Sequence, residues 1–358
     1  MSSTCANGLM RRGFLERSAA LVGFALVRPA VAAEANGLVA SIERADSALD
    51  RLLDRQPRLE RLYSGAGFLE APLWVPDERG GYLAFSDIAH NLIGRIDDTG
   101  TMRPVLAPVF RGDDVTRIPI FKKGDDYLPM AGPNGMALDP NGRIVFCGFA
   151  GSRRILRLEP DGNMAVLADR FEGRRFNTTN DLAFASDGSL YFTDTDMRPA
   201  MVREADIARP DAPDAGIPHS GIYRLKNGRI ELMDRTAEFP NGVALSPDGL
   251  VAYVTETFRR RILKYRISTD GRFGAPNIFH DMSSSTLPGF ADGLKVDSEG
   301  NVYSTGPGGV WIFNADGVHL GTIRVPEFVT NIAFGGPVGK SLYLSGLSNL
   351  YRMPLLHA

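Results

Sequence analysis

The sequence predicts an all-β fold, a six-bladed β-propeller with four-stranded blades around a central channel. Three observations support this prediction: one short motif occurs six times, further strand pairs lie between its copies, and the copies start 39 to 64 residues apart. Four-stranded repeats of roughly 40–50 residues are typical of propeller blades, and six copies indicate six blades. A β-sandwich is the alternative, but a sandwich does not require turn glycines in a constant register.

Each copy consists of two short apolar-rich runs joined by a polar turn, as in NDLAFASDGSLYFTD from Asn180. This pattern predicts a β-hairpin. In five copies a glycine lies eight residues after the first position, whereas the sixth copy, from Glu70, is looser. The glycines are Gly142, Gly188, Gly249, Gly300 and Gly339. Every copy ends its second strand with a small residue, which is Ser86, Cys147, Thr193, Thr255, Thr305 or Ser345.

Strand pairs of the same style follow three of the copies, at residues 153–169, 220–234 and 308–323. They complete the four strands that a propeller blade needs. Two longer segments, 109–130 and 197–219, interrupt the pattern at turns, and the second is rich in proline. We expect both to be surface loops that either cover a site or act as spacers.

The N-terminal segment differs from the repeats. Arg11-Arg12, a modest apolar run and an Ala-Val-Ala end predict a twin-arginine signal peptide over residues 1–33, and hence export of folded protein to the periplasm. Residues 34–58 carry apolar side chains at helical spacing and predict a helical lead-in. The propeller itself is predicted over 59–358, with a first strand at 59–65 that pairs with the last blade and closes the ring.

Charge and cysteine content exclude several classes of function. The 40 basic and 42 acidic residues give a net charge of −2, so we expect no nucleic-acid partner and no stable membrane association after signal cleavage. Cys5 leaves with the signal, and Cys147 is then the single cysteine, so the mature chain has no internal disulfide. Cys147 follows an apolar run, which favours a packed core residue over a nucleophile.

The first positions of the six copies are all oxygen-bearing and polar: Glu70, Asn134, Asn180, Asn241, Asp292 and Asn331. Because the innermost strands of a propeller line its channel, these positions should form a ring around the axis. Buried amides and acids are costly unless a partner satisfies them, so the ring predicts a guest. Its hard oxygen donors, without His or Cys, favour Ca²⁺ over Zn²⁺, and two carboxylates balance a dication. Mg²⁺, Mn²⁺ and Fe²⁺ remain open.

Four motifs carry a specific resemblance: LEAPLW, NTTNDLAFASDGSLYFTD, FPNGVALSPDGLVAYVTE and FADGLKVDSEGNVYSTGPGGVW. They resemble the gluconolactonase and senescence-marker-protein (regucalcin) family, the gluconolactonase branch in particular, over nearly the whole mature chain. The order Glu, Asn, Asn, Asp is also similar to diisopropyl fluorophosphatase. The resemblance implies a propeller with a divalent cation, usually calcium, in its channel. It also implies metal ligation by Glu70, Asn180, Asn241 and Asp292, and a pocket-lining role for Asn134.

The functional hypothesis is hydrolysis of a sugar lactone. The cation would polarise the lactone carbonyl and Asp292 would assist attack by water, while Asn134 and Asn180 would orient the water or the sugar hydroxyls. Attack by Asp292 itself, through an acyl intermediate, is the alternative mechanism. Serine-hydrolase chemistry is disfavoured because the chain has no Gly-x-Ser-x-Gly motif. Two other functions stay open: phosphotriesterase or fluorophosphatase activity, and a non-catalytic propeller that binds calcium or another ligand.

Overall fold

The computed structural model describes residues 38–97, 100–112, 120–123, 126–197 and 216–357. The predicted signal peptide lies outside the described residues, as do parts of both predicted loops. No helix among the described residues is long and apolar enough to cross a lipid bilayer.

The strands follow one another as the repeat predicts. The lead-in contains β1 (Leu38–Val39), β2 (Ser41–Arg44), a 3-10 helix (Ser47–Arg51) and β3 (Arg58–Ser64). Blade 1 contains β4 (Leu69–Val75), β5 (Tyr82–Asp87), β6 (Leu92–Ile96) and β7 (Met102–Leu106), and a hairpin of β8 (Ile120–Lys123) and β9 (Asp126–Pro129) follows. Blade 2 contains β10 (Met136–Leu138), β11 (Ile144–Cys147), the short helix α1 (Phe149–Ser152), β12 (Ile155–Leu158) and β13 (Met164–Ala168).

The remaining blades repeat this arrangement. After a hairpin of β14 (Arg170–Phe171) and β15 (Arg174–Arg175), blade 3 contains β16 (Thr179–Phe184), β17 (Leu190–Asp194), β18 (Gly221–Lys226) and β19 (Arg229–Asp234). Blade 4 contains β20 (Pro240–Leu245), β21 (Val251–Glu256), β22 (Arg261–Arg266) and β23 (Asn277–Asp281). Blade 5 contains β24 (Leu294–Val296), β25 (Val302–Gly306), β26 (Gly309–Phe313) and β27 (His319–Arg324), and blade 6 contains β28 (Val329–Gly335), β29 (Ser341–Gly346) and β30 (Asn349–Pro354).

Each blade is an antiparallel sheet whose strands run in sequence order from the axis outward, and the six blades confirm the predicted propeller. Blade 6 takes its fourth strand from the other end of the chain. There β3 pairs with β30, with Glu60 opposite Arg352, as predicted for the segment 59–65. This pairing closes the ring and covers an edge of β30 that would otherwise be open.

The helix predicted over the lead-in is wrong. β2 adds a fifth strand to blade 5 by pairing with β27, and β1 adds a fifth strand to blade 6 by pairing with β3. Within residues 38–58 only the 3-10 helix is helical, and the Asp46 carboxylate accepts a hydrogen bond from the Ala48 amide at its start. An isolated helix of this length is marginal in water, whereas the outer edges of two blades offer a row of unpaired backbone groups.

The turn glycines have the conformation that their constant register requires. The five glycines eight residues into their copies all have positive φ, between 71° and 86°. A residue with a Cβ adopts this left-handed region only at a cost, so glycine is favoured at each of these turns. Cys147 is fully buried among apolar side chains, as predicted, and burial raises the pKa of its thiol.

Candidate functional site

The structure brings the six predicted ring residues together at the axis. Their exposed fractions are only 3–8% for Glu70, Asn134, Asn180, Asn241, Asp292 and Asn331. In four of the inner strands the pairing register shifts at the ring position: between Glu70 and Leu73, Thr179 and Leu182, Pro240 and Val243, and Val329 and Asn331. Bulges of this kind re-aim side chains, and here they occur where the ring is built.

Side chains of the ring contact each other across blade boundaries. The Asn331 amide on blade 6 donates to Glu70 Oε2 on blade 1 at 3.2 Å. The Asn134 amide on blade 2 donates to Asn180 Oδ1 on blade 3 at 3.3 Å. Asn134 Oδ1 is buried and has no hydrogen-bond partner. The ring therefore contains an acceptor oxygen that is free to bind a guest.

The carboxylates of the ring are strongly perturbed. Burial, together with the negative charge of Asp181, raises the pKa of Glu70 to about 8. Burial, together with the charges of Glu70 and Asp181, raises the pKa of Asp292 well above its usual range, although a hydrogen bond with Asn241 opposes this shift. Perturbed acids in a cleft are a frequent property of functional sites. The ring therefore concentrates negative charge where little water is available to solvate it.

Asp181 and Lys295 belong to this site but were not singled out in the sequence analysis. Lys295 Nζ lies 3.7 Å from Asp181 Oδ2 and donates to Asn331 Oδ1 at 3.3 Å. The sequence did contain a signal. Asp181 occupies the second position of its copy, where other copies have Gly, Ala or Ile, and Lys295 is the only charged residue at the fourth position. The two exceptions to the repeat pair with each other across the channel.

Lys295 also separates the ring from the far end of the channel. A cavity of about 420 Å³ opens there, lined by apolar side chains of the inner strands, such as Leu138, Phe184 and Leu245, and by Lys295. A second concavity of about 570 Å³ lies away from the axis, on the outer edge of blade 3, and contains no ring residue. An approach to Glu70 and Asp292 from the face where the inner strands begin would not pass Lys295 or this cavity.

The donor set fits a hard dication. Three carboxylates, Glu70, Asp181 and Asp292, and one ammonium, Lys295, sum to −2 when all are ionised. Within the described ranges, no three His, Cys, Asp or Glu side chains lie close enough together to hold a metal ion by themselves. A cation at this position would therefore need amide oxygens as well as carboxylates, a mixed set that Ca²⁺ tolerates.

Hydroxyl groups of neighbouring blades hold the ring backbone in place. The small residue at the end of a second strand donates to the main-chain carbonyl of the next ring residue: Ser86 to Asn134 (2.7 Å), Thr193 to Asn241 (2.6 Å) and Thr255 to Asp292 (2.6 Å). The sequence showed these small residues in register but not their role. They couple the positions of Asn134, Asn241 and Asp292 to the preceding blades.

The glycines that follow ring residues are required by close packing. A Cβ on Gly242 would lie 2.5 Å from the Asp292 carbonyl oxygen, and one on Gly135 would lie 2.5 Å from the Asn180 carbonyl oxygen. In both cases the obstacle is the backbone of the next ring residue. Adjacent inner strands can approach this closely only because these side chains are absent.

Comparison with known proteins agrees with this arrangement. Residues 68–348 match the family model described as SMP-30/Gluconolactonase/LRE-like region. The chain is 30% identical over 325 residues to a gluconolactonase of Zymomonas mobilis, covering 88% of this chain and 86% of that protein. It is 36% identical over 129 residues to a pentonolactonase of Haloferax volcanii, covering 35% of this chain and 44% of the relative. The solved structure of a gluconolactonase from Xanthomonas campestris superposes with a TM-score of 0.73 at 30% identity, covering 92% of this chain and 99% of that one.

We predict that Gly242→Ala disturbs the ring. The added methyl group would press on the backbone at Asp292, and overpacking of this kind typically costs about 1–3 kcal/mol. Urea unfolding should show the loss. Gly274→Ala is the matched control, because a Cβ there meets nothing closer than 3.6 Å. Equal unfolding midpoints for the two variants would contradict the packing role of Gly242.

We predict that the cation-free protein loses stability as the pH rises from about 4.5 to 8. The pKa of Glu70 is about 8 in the folded chain and near its ordinary value of 4.5 when unfolded, so the folded state binds more protons in this window. The contribution is fully present below about pH 4.5 and is lost as the pH rises through about 8, a change of about 2–4 kcal/mol. Thermal unfolding in EDTA across this range measures it.

Glu70→Gln is the control for the pH experiment. It should flatten the pH dependence only in part, because Asp292 and Asp194 contribute with the same sign. Burial raises the pKa of Asp194 to about 7 despite hydrogen bonds from the Asn177 and Thr178 amides. A variant with the full pH dependence of the parent protein would show that Glu70 is not the titrating group.

Proposed function

This chain belongs to the SMP-30/gluconolactonase/LRE-like family and is a lactonase, and from that premise we propose that it opens aldonolactones at the ring with the help of a bound divalent cation. The observation that supports the site is the enclosed ring of acids and amides, whose net charge and free Asn134 acceptor suit a guest of opposite charge. The names of two relatives, gluconolactonase and pentonolactonase, support an aldonolactone as the substrate.

Glu70, Asn180, Asn241 and Asp292 would hold the cation, and Ca²⁺ suits their oxygen donors best. When bound, a dication of this kind supplies polarisation of a carbonyl and compensation for the buried negative charge. The remaining steps depend on the side chains and backbone of the chain itself.

Asp292 is the base in this proposal. Its backbone is fixed on both sides, because its carbonyl accepts from Thr255 Oγ1 at 2.6 Å and its amide donates to Thr305 Oγ1 at 2.9 Å. Burial and neighbouring charge raise the pKa of its carboxyl group in the cation-free ring, and a bound cation would oppose this shift. The fixed position of the Asp292 backbone is therefore what supports its role in removing a proton from a water molecule in the ring.

The proposed reaction is an ordinary lactone hydrolysis. Water attacks the carbonyl carbon of the lactone while the Asp292 carboxylate takes its proton, and a tetrahedral intermediate forms. The ring C–O bond breaks, the proton passes to the leaving alkoxide, and the product is a hydroxy acid. Asn134 assists on the other side of the ring, because its free Oδ1 can accept a hydrogen bond from a substrate hydroxyl while its amide group is held by Asn180.

We propose, in addition, that the enzyme acts in the periplasm. Support comes from Arg11-Arg12 and from the apolar run that ends near Ala33. On this proposal residues 1–33 are removed and residues 34–58 remain as the lead-in to the propeller. Replacing Arg11 and Arg12 by Lys should retain the full-length precursor in the cytoplasm of a host with twin-arginine export, as fractionation and immunoblotting would show. Unchanged export of this variant would contradict the proposal.

We predict that Asp292→Asn lowers kcat for glucono-δ-lactone by about 10²–10⁴-fold, the usual range for loss of a general base. A pH-stat assay with aldonolactones, aryl esters and phosphotriesters, with Ca²⁺ or with EDTA, measures the effect. Chelation should abolish lactone turnover by the parent protein. Asp248→Asn is the control, since Asp248 is an exposed turn residue at the opposite end of blade 4. Turnover of phosphotriesters without turnover of lactones would overturn the proposed function.

A further inference from the structure

Four phenylalanines form a continuous row at the face where the inner strands begin. Phe239 precedes Asn241 by two residues, Phe290 precedes Asp292 by two, and Phe328 precedes Asn331 by three. Phe258 lies in the turn between β21 and β22. Their ring centroids are 4.5 Å apart for Phe239 and Phe258, 5.9 Å for Phe258 and Phe290, and 6.0 Å for Phe290 and Phe328. We call these four residues the Phe arc.

The topology places the Phe arc on the same face as the ring. Each inner strand begins at the ring, and the second strand returns to that face. Three of the phenylalanines lie in segments that lead into inner strands, and the turn that contains Phe258 joins the end of a second strand to a third. The arc therefore borders the approach to Asp292 across blades 4, 5 and 6.

The Phe arc contains the exposed aromatic side chains of the described surface. Phe258 is 52% exposed and Phe290 is 38% exposed, and they are the only large aromatic side chains so exposed among the described residues. Several exposed apolar side chains elsewhere, such as Leu250 and Val338, lie in turns at the opposite ends of the blades. A cluster of apolar surface beside a site is a common feature of ligand binding, whereas scattered apolar residues are not.

The backbone around the Phe arc is held in an unfavourable conformation. Phe239 has a φ of 55°, and Arg260, in the same turn as Phe258, has a φ of 51°. Side chains with a Cβ rarely occupy this region, and such strain tends to occur at functional sites. The Arg260 guanidinium lies 5.7 Å from the Phe290 ring centroid and donates to the Ser285 carbonyl at 3.1 Å. Arg260 therefore connects the Phe290 ring to the Ser285 backbone.

We propose that the Phe arc is a binding subsite for an apolar substituent of the substrate, so that the enzyme also accepts lactones carrying an alkyl or aryl group and binds these more tightly than unsubstituted ones. The inference rests on the proposed function, because the arc borders the residues that would open the lactone. An aryl or alkyl group packs on the phenyl rings without losing hydrogen bonds. The hydroxyls of a sugar lactone find their partners instead at the amides of the ring.

The nearest charged side chains do not change this conclusion. Arg259 and Glu238 lie beside the Phe arc in sequence, but they form a paired contact with each other, at 2.8 Å from Arg259 Nε to Glu238 Oε2. Arg260 is engaged with Phe290 and Ser285, as described above. The surface that the arc offers to a ligand is therefore mainly aromatic.

The test compares three δ-lactones that share one ring size: δ-valerolactone, its δ-phenyl derivative and glucono-δ-lactone. The parent enzyme should have a KM about tenfold lower for the phenyl derivative than for δ-valerolactone. Phe258→Ala and Phe290→Ala should each raise KM for the phenyl derivative about tenfold, the effect of exposing roughly 50–60 Å² of apolar surface. In these variants kcat, and the KM for glucono-δ-lactone, should stay within about twofold of the parent values.

Leu250→Ala is the matched control, because Leu250 is 56% exposed in the turn at the opposite end of blade 4. It should change none of these constants. Equal KM values for the phenyl derivative and δ-valerolactone would overturn the subsite. Equal losses for the phenyl derivative and glucono-δ-lactone would also overturn it, since the arc would then be a platform for sugars.

A binding measurement separates failure of the subsite from failure of the proposed function. The δ-phenyl lactam, which resists hydrolysis, is titrated into the parent protein and into Phe258→Ala by calorimetry. Tight binding by the parent and about tenfold weaker binding by the variant support the subsite even if no lactone is turned over. Absence of lactone turnover would then count against the proposed function alone. Absence of lactam binding, or equal binding by both proteins, would overturn the subsite.

Discussion

Burial of negative charge at the propeller axis is the constraint on which the site depends. The inner strands bring Glu70 and Asp292 of the ring close to Asp181 in a poorly solvated place, where the charge of Asp181 makes ionisation of both ring carboxyls harder. Lys295 compensates the charge of Asp181. The charges of Glu70 and Asp292 must be neutralised by protons or by a bound cation. Occupation of the ring and stability of the fold are therefore linked, because whatever neutralises the ring also removes a repulsion that opposes folding.

The propeller framework makes this charged ring possible by fixing its backbone. Thr255 illustrates the device: its hydroxyl accepts from the Gly242 amide of its own blade and donates to the Asp292 carbonyl of the next. A side chain that bonds in this way leaves the Asp292 carboxylate free to face the channel. Gly242 allows the same two strands to approach closely. These contacts join neutral groups. They therefore fix the backbone of the ring whether or not its carboxyl groups are charged.

The repeat made the fold and the ring predictable. The turn glycines and the first positions recur at the same spacing in successive copies, so equivalent residues occupy equivalent places in each blade. The lead-in was not predictable, since the spacing of Leu49, Leu52 and Leu53 suits a helix, and nothing local reveals the unpaired edge of β27 that β2 covers. The pair of Asp181 and Lys295 lies 114 positions apart in sequence on blades 3 and 5. Only the circular arrangement of the blades brings such residues into contact.

The repeat already gives the channel a direction, because every inner strand begins at the face that carries the ring. The deviations from the repeat add a charged pair to this asymmetry. Here Lys295 lies between the ring and the far cavity, so an approach to the carboxylates from the face where the inner strands begin does not pass its ammonium group. That face also carries the exposed side chains of Phe258 and Phe290. Charge compensation by Lys295 and the exposed aromatic side chains therefore lie at opposite ends of one channel.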